Sequence, residues 1–527
     1  MPAGEPRERE LKLGVTPEDA RRLLASPLLG RCRAGPVRSE RLLGVYYDTA
    51  DVRLRRRGLA LRVRRAGRRI VQTLKTESRP EGVVKDRGEW EVALATPAPD
   101  LQAFADPRVL ELAGLVLPDE LAPVFETEVR RRSLMVRWPD GEGTALVEVA
   151  YDLGRVRAGG REAPISELEL ELKEGSAEAL FGLARALREV APLRLGALDK
   201  AARGWLLAGD LPPPWQKSTP PGLHRSLRLE EGMAAILGGC IAQALHNEAA
   251  AADGRQLEGV HQFRVALRRL RSAFARFRPV LPAAEVLRWT GEIRWLVDCL
   301  GRTRDLDVLL AELLKPLLAL RPEDRGLLAL RDAALARREA AQAAVRDALA
   351  SPRAGDLLLE LAGWVELRGW RAGIDAAALR KQDRPITGRA ARILDRCHGR
   401  VLKRGQGFAG LDPDGRHALR IAFKRLRYGV EFFQSLFPAK RVGPYLAAAR
   451  RMQDRLGQAN DVVVAERLVG EILEGVGDPA ARAAAALGGG QLIGWHAHAL
   501  AALEPPTLGA WEEFAALDPF WRRGRRK

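Results

Sequence analysis

Charged residues alternate with apolar ones near both ends of the first 208 residues. Glu8, Glu10 and Lys12 stand two apart, and a second run of the same kind, ELELELK, covers 167–173. On a β-strand, residues two apart point to the same side of the sheet. Carboxylates that share a buried side need a cation between them, because an unpaired buried charge is very costly. These two runs therefore predict strands whose charged side can hold a metal ion.

Basic residues take the alternating positions in the strands predicted between those two runs. They are Arg62, Arg64, Lys75, Arg87 and Arg131, with Glu89, Glu148 and Asp152 among them. If the strands close into a barrel, this charged side becomes its interior, where carboxylates hold one or two divalent ions and basic residues hold phosphate oxygens. A solvated sheet face is the alternative. It explains any single strand but not the combined pattern, because the opposite side of each strand is only moderately apolar.

A second group of candidate residues lies in an internal repeat. The segment VHQFRVALRRLRSAFARF at 260–277 matches RHALRIAFKRLRYGVEFF at 416–433. Further along, LVDCLGRTRDLDVLLAE at 296–312 matches MQDRLGQANDVVVAERL at 452–468, again with an offset of 156 residues (416 minus 260, and 452 minus 296). One constant offset over two separate motifs predicts a duplicated domain.

Each copy of the first motif predicts a helix with one basic side and one apolar side. In the first copy the basic positions fall within an arc of about 80° and span about 15 Å, opposite an aromatic and aliphatic stripe. The basic positions are His261, Arg264, Arg268 and Arg271 in the first copy, and His417, Arg420, Lys424 and Arg427 in the second. Like charges three or four residues apart destabilise a helix, so we expect an anionic ligand that offsets the repulsion.

Two alternatives to an anion site apply to these helices. Acidic residues recur at matching distances in both copies, Asp298 with Asp454 and Asp305 with Asp461, and are suitable ion-pair partners for a solvated basic face. A metal site at His261 and His417 is disfavoured, because one histidine among arginines is a poor ligand set for a cation. The repetition and the positive charge of this part of the chain favour an anion.

Five prolines between Gly209 and Gly222 mark the clearest boundary in the chain, because they exclude a helix or a central strand. Before this linker, stretches of period two predict a largely antiparallel sheet or barrel with flanking helices. These stretches are 59–64, 69–75, 89–94, 145–150 and 166–173, and the predicted helices are 17–25 and 177–190. After the linker nearly every stretch has helical period. The fold class predicted is α+β, with an antiparallel barrel followed by an all-α domain.

The net charge of +18 is concentrated in the helical part. Residues 1–208 carry 36 Lys and Arg against 32 Asp and Glu, whereas 223–527 carry 49 against 35. This excess favours a polyanionic partner. Every apolar run is much shorter than the roughly 20 residues of a membrane span, and the four cysteines are far apart, without metal-site spacing. We therefore expect a cytoplasmic protein with no membrane segment and no zinc site.

The duplicated pattern H-x2-R-x3-[RK]-R-x-R, followed in each copy by L-G-x3-D, resembles the CHAD domain, the conserved histidine α-helical domain. The resemblance covers about residues 223–520. It implies two four-helix halves related by pseudo-twofold symmetry, and inorganic polyphosphate bound along the eight basic positions given above. Arg269 and Arg425 lie about 80° away from these positions on the helical wheel and are less well placed.

Residues 1–208 resemble the CYTH domain of the triphosphate tunnel metalloenzymes. The motifs are ExExK at 8–12, LxLRxR at 59–64, TLK at 73–75, RxEWE at 87–91 and ELELELK at 167–173. DKAARG at 199–204 is similar to the closing S-K-x-x-R-G of that family, with Asp199 in place of the usual serine. The resemblance implies an eight-stranded antiparallel tunnel that hydrolyses triphosphate-containing substrates with Mg²⁺ or Mn²⁺.

The same resemblance implies roles for individual residues. The implied metal ligands are Glu8, Glu10, Glu169 and Glu171, together with Glu89 and Glu148. The implied substrate-binding and catalytic residues are Lys12, Arg62, Arg64, Lys75, Arg87, Arg131 and Lys200. Arg131 has alternatives one residue away, because positions 130–132 are all arginine. Arg9 is expected outside the tunnel.

Three functions are compatible with these patterns. The first is a metal-dependent triphosphatase, with inorganic triphosphate as the expected substrate, joined to a domain that binds inorganic polyphosphate. The second is a protein that binds polyphosphate, at polyphosphate granules in the cytoplasm, without turnover. A nucleic-acid binder is third, and it is disfavoured because the sequence has no aromatic stacking platform.

Overall fold

The computed structural model describes residues 7–77, 83–114, 116–141, 143–196 and 198–522. The chain divides into two compact units. Unit 1 comprises Met1–Trp215, Leu245–Arg255 and Ala350–Gly369, and unit 2 comprises Gln216–Ala244, Gln256–Leu349 and Trp370–Lys527. The boundaries predicted from the sequence, 1–208, 209–222 and 223–520, stay predictions, and residues 1–6 of the first lie outside the described part.

Strands in the described part of unit 1 form a closed antiparallel barrel of eight strands. The strands are β1 (Arg7–Gly14), β2 (Arg38–Thr49), β3 (Leu59–Ala66), β4 (Arg69–Thr76), β5 (Lys85–Ala93), β6 (Leu121–Asp140), β7 (Gly143–Ala158), β8 (Arg161–Glu174) and the short β9 (Arg194–Leu195). Their order is β5-β4-β3-β2-β6-β7-β8-β1, and β1 also pairs with β5, which closes the barrel. β9 adds to the far end of β1. The predicted barrel is confirmed.

Helices flank the barrel and form unit 2. In chain order they are α1 (Pro17–Leu24), α2 (Pro27–Cys32), α3 (Arg53–Arg56), α4 (Pro107–Ala113), α5 (Ala177–Arg188), α6 (Lys200–Gly209), α7 (Leu229–Asp253), α8 (Leu257–Phe277), α9 (Ala283–Cys299), α10 (Gly301–Val308), α11 (Lys315–Leu320), α12 (Arg325–Ala350), α13 (Pro352–Glu366), α14 (Ala376–Gln382), α15 (Ile386–Gly405), α16 (Pro413–Phe433), α17 (Ala439–Glu474) and α18 (Pro479–Ala515).

The repeat is visible in the helices of unit 2. The first copy uses α7, α8, the run α9–α11 and α12, and the second uses α15, α16, α17 and α18. One 36-residue helix, α17, stands in the second copy where the first has α9, α10, a π-helical segment (Leu309–Leu314) and α11. Two halves of four helical segments, as predicted, are therefore present in the described residues.

The strands of the barrel are buried on both sides, which explains their alternation. Leu11 of β1 and Leu168 and Leu170 of β8 are fully buried on the outer side, where α5 covers them. Helix α5 contributes Leu180 and Phe181, which are also fully buried. Because the apolar positions pack outward under this helix, the charged positions between them must point into the barrel.

The apolar stripes of the two basic helices form one core of unit 2, and residues of α10–α12, α17 and α18 form another. On α8 the stripe is Phe263, Leu267, Leu270, Phe274 and Phe277, and on α16 it is Leu419, Phe423, Leu426, Val430 and Phe433. All ten side chains are at most 1% exposed. The two stripes meet where Phe277 and Phe433 pack edge to face, with ring centroids 6.4 Å apart. The predicted orientation of both helices is confirmed.

Gly154 of β7 lies opposite Val129 of β6, where the two strands approach closely. A Cβ at position 154 would lie 1.9 Å from the backbone oxygen of Glu128. We predict that Gly154→Ala lowers the free energy of unfolding by about 2 kcal/mol or more, because the strands must separate to admit the methyl group. Urea unfolding of the purified protein measures this. The control is Gly14→Ala, whose Cβ would lie 3.8 Å from the oxygen of Arg194; equal losses for both variants would contradict the prediction.

Candidate functional site

Strand β1 places Glu8, Glu10 and Lys12 on the inner side of the barrel. Glu8 accepts hydrogen bonds from Lys75 Nζ and Arg87 Nε, both at 2.8 Å. Glu10 is 1% exposed and lies 2.7 Å from Arg87 Nη2 and 3.1 Å from Lys12 Nζ. Burial would raise the pKa of Glu8, but Lys75 and Arg87 bring that pKa well below its usual range. Glu8 is therefore ionised throughout the physiological pH range.

Arg9, between these residues, points the other way. Its side chain is 50% exposed and lies 3.8 Å from the carboxylate of Asp86. It therefore lies outside the barrel interior, as expected.

Arg87 of β5 holds three carboxylates at once. Its guanidinium contacts Glu8, Glu10 and Asp199, the last at 2.8 Å. Burial alone would lower the pKa of Arg87, yet Glu10 and Asp199 hold it well above its usual value. Asp199 also caps the N-terminus of α6 by accepting from the backbone N–H of Ala202 at 2.8 Å. Asp199 thus ties the start of α6 to the same cation that binds β1.

Three carboxylates on β7 and β8 surround one ammonium group. Lys200 Nζ, at the start of α6, lies 2.6 Å from Asp152, 2.5 Å from Glu167 and 2.9 Å from Glu169. One oxygen from each carboxylate lies within 4.8 Å of the others, which is the arrangement of a metal-binding group. Burial would lower the pKa of Lys200, but Glu169 and Asp152 raise it above its usual value. The ammonium therefore stands where a cation among these carboxylates would be.

Glu169 is shared by further cations. Lys12 Nζ and Arg131 Nη2 both donate to it, and Arg131 also binds Asp152 through two hydrogen bonds of 2.7 Å. Burial would raise the pKa of Glu169, but Lys12 and Lys200 hold it well below its usual range. Of the three consecutive arginines, Arg131 is the one that reaches these interior carboxylates.

A second acidic group lies two residues further along β8, at Glu171. Glu171 of β8 is opposite Glu10 in β1 and Glu148 in β7. Lys173 Nζ bridges Glu171 at 2.6 Å and Glu148 at 3.2 Å, with 36% of its side chain exposed. Burial raises the pKa of Glu171, with further increases from Glu8 and Glu148, even though Lys173 opposes them. This group has less cationic compensation than the one around Lys200, so it has room for an additional positive charge.

Glu89 of β5 stands apart from that group. Its carboxylate lies 2.8 Å from Lys75 Nζ, which also binds Glu8. Lys75 thus joins the acidic residues of β1 to those of β5.

Arg62 and Arg64 on β3 make no hydrogen bond to a carboxylate within the described residues of the barrel. Arg62 Nη2 donates to Thr73 Oγ1 at 3.2 Å, its buried Nε has no hydrogen-bond partner, and its closest carboxylate is Glu91 at 4.0 Å. Arg64 reaches the same Glu91 at 3.5 Å. Arg62 beside it, together with burial, lowers the pKa of Arg64 to about 10. Two adjacent guanidinium groups that have carboxylates near them but no hydrogen bond to one can still bind an anion.

Three interior residues were not among the predicted ligands. Asp152 and Glu167 complete the group around Lys200, and Asp199 binds Arg87. Glu167 continues the alternation of Glu169 and Glu171, so the sequence held a signal for it. The position of Asp199 depends on where α6 meets the barrel, which strand alternation does not predict.

In unit 2 the eight predicted basic positions differ in how they are compensated. Arg268 and Lys424 make no hydrogen bond or ion pair within the described residues. Burial, followed by the charges of Arg420 and Arg268, lowers the pKa of Lys424 to about 7. Arg268 thus lies close to Arg420 and Lys424 of the other copy. The two helices bring their cations together, and we call the eight predicted positions the basic groove.

Three other arginines of the basic groove already have partners within the protein. Arg264 is 7% exposed and donates to the backbone oxygen of Val297 at 2.9 Å. Arg420 lies 3.7 Å from Asp461. Arg427 donates to Gln453 and to Glu431, both at 2.8 Å. These contacts orient the arginines. Of the four partners, Asp461 and Glu431 carry a negative charge, whereas Val297 and Gln453 offer neutral oxygens.

The two histidines and Arg271 lie at different depths. Burial, followed by Arg304, lowers the pKa of His261 to about 4, so this imidazole is neutral near pH 7. His417 is exposed and its Nδ1 lies 3.0 Å from the side-chain oxygen of Asn460. Arg271 is half-buried and makes no ion pair among the described residues. Glu258 lies near His261 as well as Arg304, so the surroundings of this imidazole have mixed charge, and one histidine among arginines is a poor ligand set for a metal ion.

Arg269 and Arg425 occupy different environments, although they are equivalent in the repeat. Arg269 is 3% exposed and donates to Glu431 of the second copy at 2.6 Å. Arg425 is exposed. Arg269 is thus a structural link between the copies.

A closed antiparallel barrel with a charged interior, followed by a duplicated basic helical unit, is the architecture of two known domains. A family model described as the CYTH domain matches residues 6–205, and one described as the CHAD domain matches residues 235–470. The chain therefore joins a CYTH domain to a CHAD domain.

Similar proteins cover parts of this arrangement. An inorganic triphosphatase of Haemophilus influenzae is 30% identical over 205 residues, which are 38% of this chain and 54% of that protein. An uncharacterized protein of Mycobacterium tuberculosis is 28% identical over 304 residues, 54% of this chain and 55% of that protein. This chain thus spans just over half the length of these curated relatives. The crystal structure of the CHAD domain from the plant Ricinus communis is 32% identical, with a TM-score of 0.50, and covers 58% of this chain and 98% of that structure.

The central position of Lys200 generates a prediction. Lys200→Ala leaves Asp152, Glu167 and Glu169 without the ammonium at their centre, so we expect the free energy of unfolding to fall by about 3 kcal/mol or more. Millimolar Mn²⁺ should recover part of this loss by binding the vacated carboxylates. Thermal unfolding with and without Mn²⁺ measures both effects. The control is Lys173→Ala, where the lost ammonium is one-third exposed; a larger destabilisation there than at Lys200 would refute the prediction.

Proposed function

We propose that this chain is a metal-dependent triphosphatase, acting on inorganic triphosphate, whose helical domain binds inorganic polyphosphate. Residues 1–208 would carry the catalysis and residues 223–520 the binding. The observation that supports the proposal most strongly is the closed barrel, with carboxylates on β1 and β8 and, on β3, two arginines that make no hydrogen bond to a carboxylate among the described residues. The CYTH match and the 30% identity to a triphosphatase support the same chemistry.

The carboxylates of the barrel fit a divalent ion. Their donor atoms are all oxygens, which Mg²⁺ and Mn²⁺ prefer. Burial raises the pKa of Glu171, and the nearby charges of Glu8 and Glu148 raise it further. A cation bound between these carboxylates would relieve their repulsion. Bound at these residues, the ion would supply charge neutralisation and a more acidic water.

The basic residues would act on the phosphate itself. Arg62 and Arg64 would bind the terminal phosphoryl group, because neither guanidinium hydrogen-bonds a carboxylate in the described part of the barrel. Lys75 and Arg87 would hold the inner phosphates beside Glu8. Water then attacks the terminal phosphorus, the bridging P–O bond breaks, and diphosphate and orthophosphate leave. The fixed cations stabilise the charge that develops on the oxygens.

The basic groove supports the second half of the proposal. Arg268 and Lys424 lack ion-pair partners in the described chain, and their neighbours lower the pKa of Lys424. An extended chain of phosphates would restore the charge balance along both helices at once. No helix among the described residues has the length and apolar character needed to cross a membrane.

The first prediction from this proposal concerns turnover. The protein should release phosphate from tripolyphosphate only with Mg²⁺ or Mn²⁺, and Glu8→Gln and Glu10→Gln should each lower kcat/KM by about 100-fold, because each removes a charge from the interior. A phosphate-release assay measures this, with unfolding curves to show that the variants fold. Arg9→Ala, on the outer side of the same strand, is the matched control. Wild-type protein that releases no phosphate with either metal from tripolyphosphate or nucleoside triphosphates would exclude the triphosphatase.

The second concerns the pH dependence of polyphosphate binding. The pKa of Lys424 is about 7 before binding, so below that pH the amine is already charged. Above that pH the Lys424 amine is mostly neutral and must take up a proton when polyphosphate binds. The affinity for polyphosphate should therefore fall as the pH rises from 7 to 9. Titration calorimetry at constant salt and several pH values measures this. In Lys424→Arg the charge persists and the curve should flatten; an unchanged pH dependence in that variant would show that another group is responsible.

A further inference from the structure

A second group of arginines in unit 2 lies outside the repeat motif. It consists of Arg276 on α8, Arg389, Arg392, Arg396 and Arg400 on α15, and Arg425 on α16, and we call it the α15 cluster. None of the six makes an ion pair with a carboxylate in the described part of the chain. Arg392, Arg396 and Arg400 are exposed. Asp395, next to Arg396 in the sequence, binds Arg522 at 2.9 Å, so the six arginines remain without an ion pair among the described residues and favour an anion.

Hydrogen bonds to backbone oxygens draw the cluster together. Arg276 Nη2 donates to the oxygen of Arg425 at 2.6 Å, and Arg389 Nη2 donates to the oxygen of Arg276 at 3.3 Å. The Nε atoms of Arg276 and Arg389 are buried and have no hydrogen-bond partner. Burial, followed by the charges of Arg425, Arg400 and Arg396, lowers the pKa of Arg276. The three helices therefore bring these cations close to one another without compensating them.

The cluster is continuous with the basic groove. Arg425 belongs to the cluster and also contributes, after burial, Arg294 and Arg268, to the lowered pKa of Arg271 in the groove. Arg271 and Arg276 lie five residues apart on α8. Along α15, Arg389 and Arg400 are about 16 Å apart at 1.5 Å per residue. The cluster thus extends the cationic surface by about as much as one basic helix provides.

The first copy of the repeat has no such surface. At the positions 156 residues earlier (389 minus 156, and so on), α7 carries Met233, Ile236, Cys240 and Ala244 in place of the four α15 arginines. These four side chains are at most 3% exposed. The same helix is therefore an internal element in one copy and a basic surface in the other.

We propose that a long polyphosphate chain leaves the basic groove on the side of the second copy and continues along the α15 cluster. This inference rests on the proposed function of the basic groove, and it adds the direction and the length of the bound polyphosphate chain. Polyphosphate suits the cluster better than a nucleic acid, because the exposed residue between the α15 arginines is Gly399 and the one just before them is Gly388, and neither offers a ring on which a base can stack.

The experiment compares two probes by fluorescence anisotropy in chelator, so that metal-dependent turnover cannot shorten them. One is a polyphosphate of about 5 phosphates, no longer than the roughly 15 Å row of one helix, and the other is about ten times longer. The variant is Arg392→Glu/Arg396→Glu/Arg400→Glu. We expect the affinity of this variant for the long chain to fall at least tenfold. The slope of the logarithm of the binding constant against the logarithm of the salt concentration should become shallower by about 2. Its affinity for the short chain should change less than twofold.

The matched control places the same charge change on other helices, Lys315→Glu/Arg325→Glu/Arg482→Glu, at exposed positions without ion pairs in the described chain. Equal losses of long-chain affinity in both triple variants would overturn the proposal, since they would reflect net charge alone. Unchanged long-chain affinity in the α15 variant would also overturn it, as would a loss confined to duplex DNA tested at equal phosphate concentration. Wild-type protein that binds neither chain would instead refute polyphosphate binding itself, and the extension with it.

Discussion

A charge taken out of water must find an opposite charge close by, and the barrel interior is organised by this requirement. Lys200 among three carboxylates and Arg87 among three others show how β1, β7, β8 and α6 are held together by shared ions rather than by separate pairs. Removing one member leaves several partners uncompensated. Compensation is less complete at Arg62 and Arg64 on β3 and at the acids around Glu171, so the barrel has a basic place and an acidic place where charge remains to be balanced.

Unit 2 meets the same requirement in another way. Its apolar stripes bury the two basic helices against each other, which forces cations of both copies into proximity. Asp461 and Glu431 pair with arginines of the basic groove, whereas Arg268 and Lys424 make no ion pair among the described residues.

Much of the barrel and of the helical unit could be predicted from local sequence pattern. The alternation of ELELELK predicted β8 and its inner residues, and the helical wheel predicted the buried stripe of α16. Strand β6 (Leu121–Asp140) gave no comparable signal, because three successive arginines interrupt its alternation, and its pairing with Asp152 decides which of them points inward. The burial of Arg264 also escaped prediction, because it depends on a backbone oxygen of another helix, at Val297.

The link between Arg269 and Glu431 has a consequence for the history of the repeat. Arg269 has an exposed counterpart in Arg425, and Glu431 has an apolar counterpart in Ala275, so neither half contains both partners. The dependence runs one way: without the second half Arg269 would lose its carboxylate, whereas Glu431 would keep Arg427 of its own half. The first half has therefore become the one that needs its neighbour at this pair.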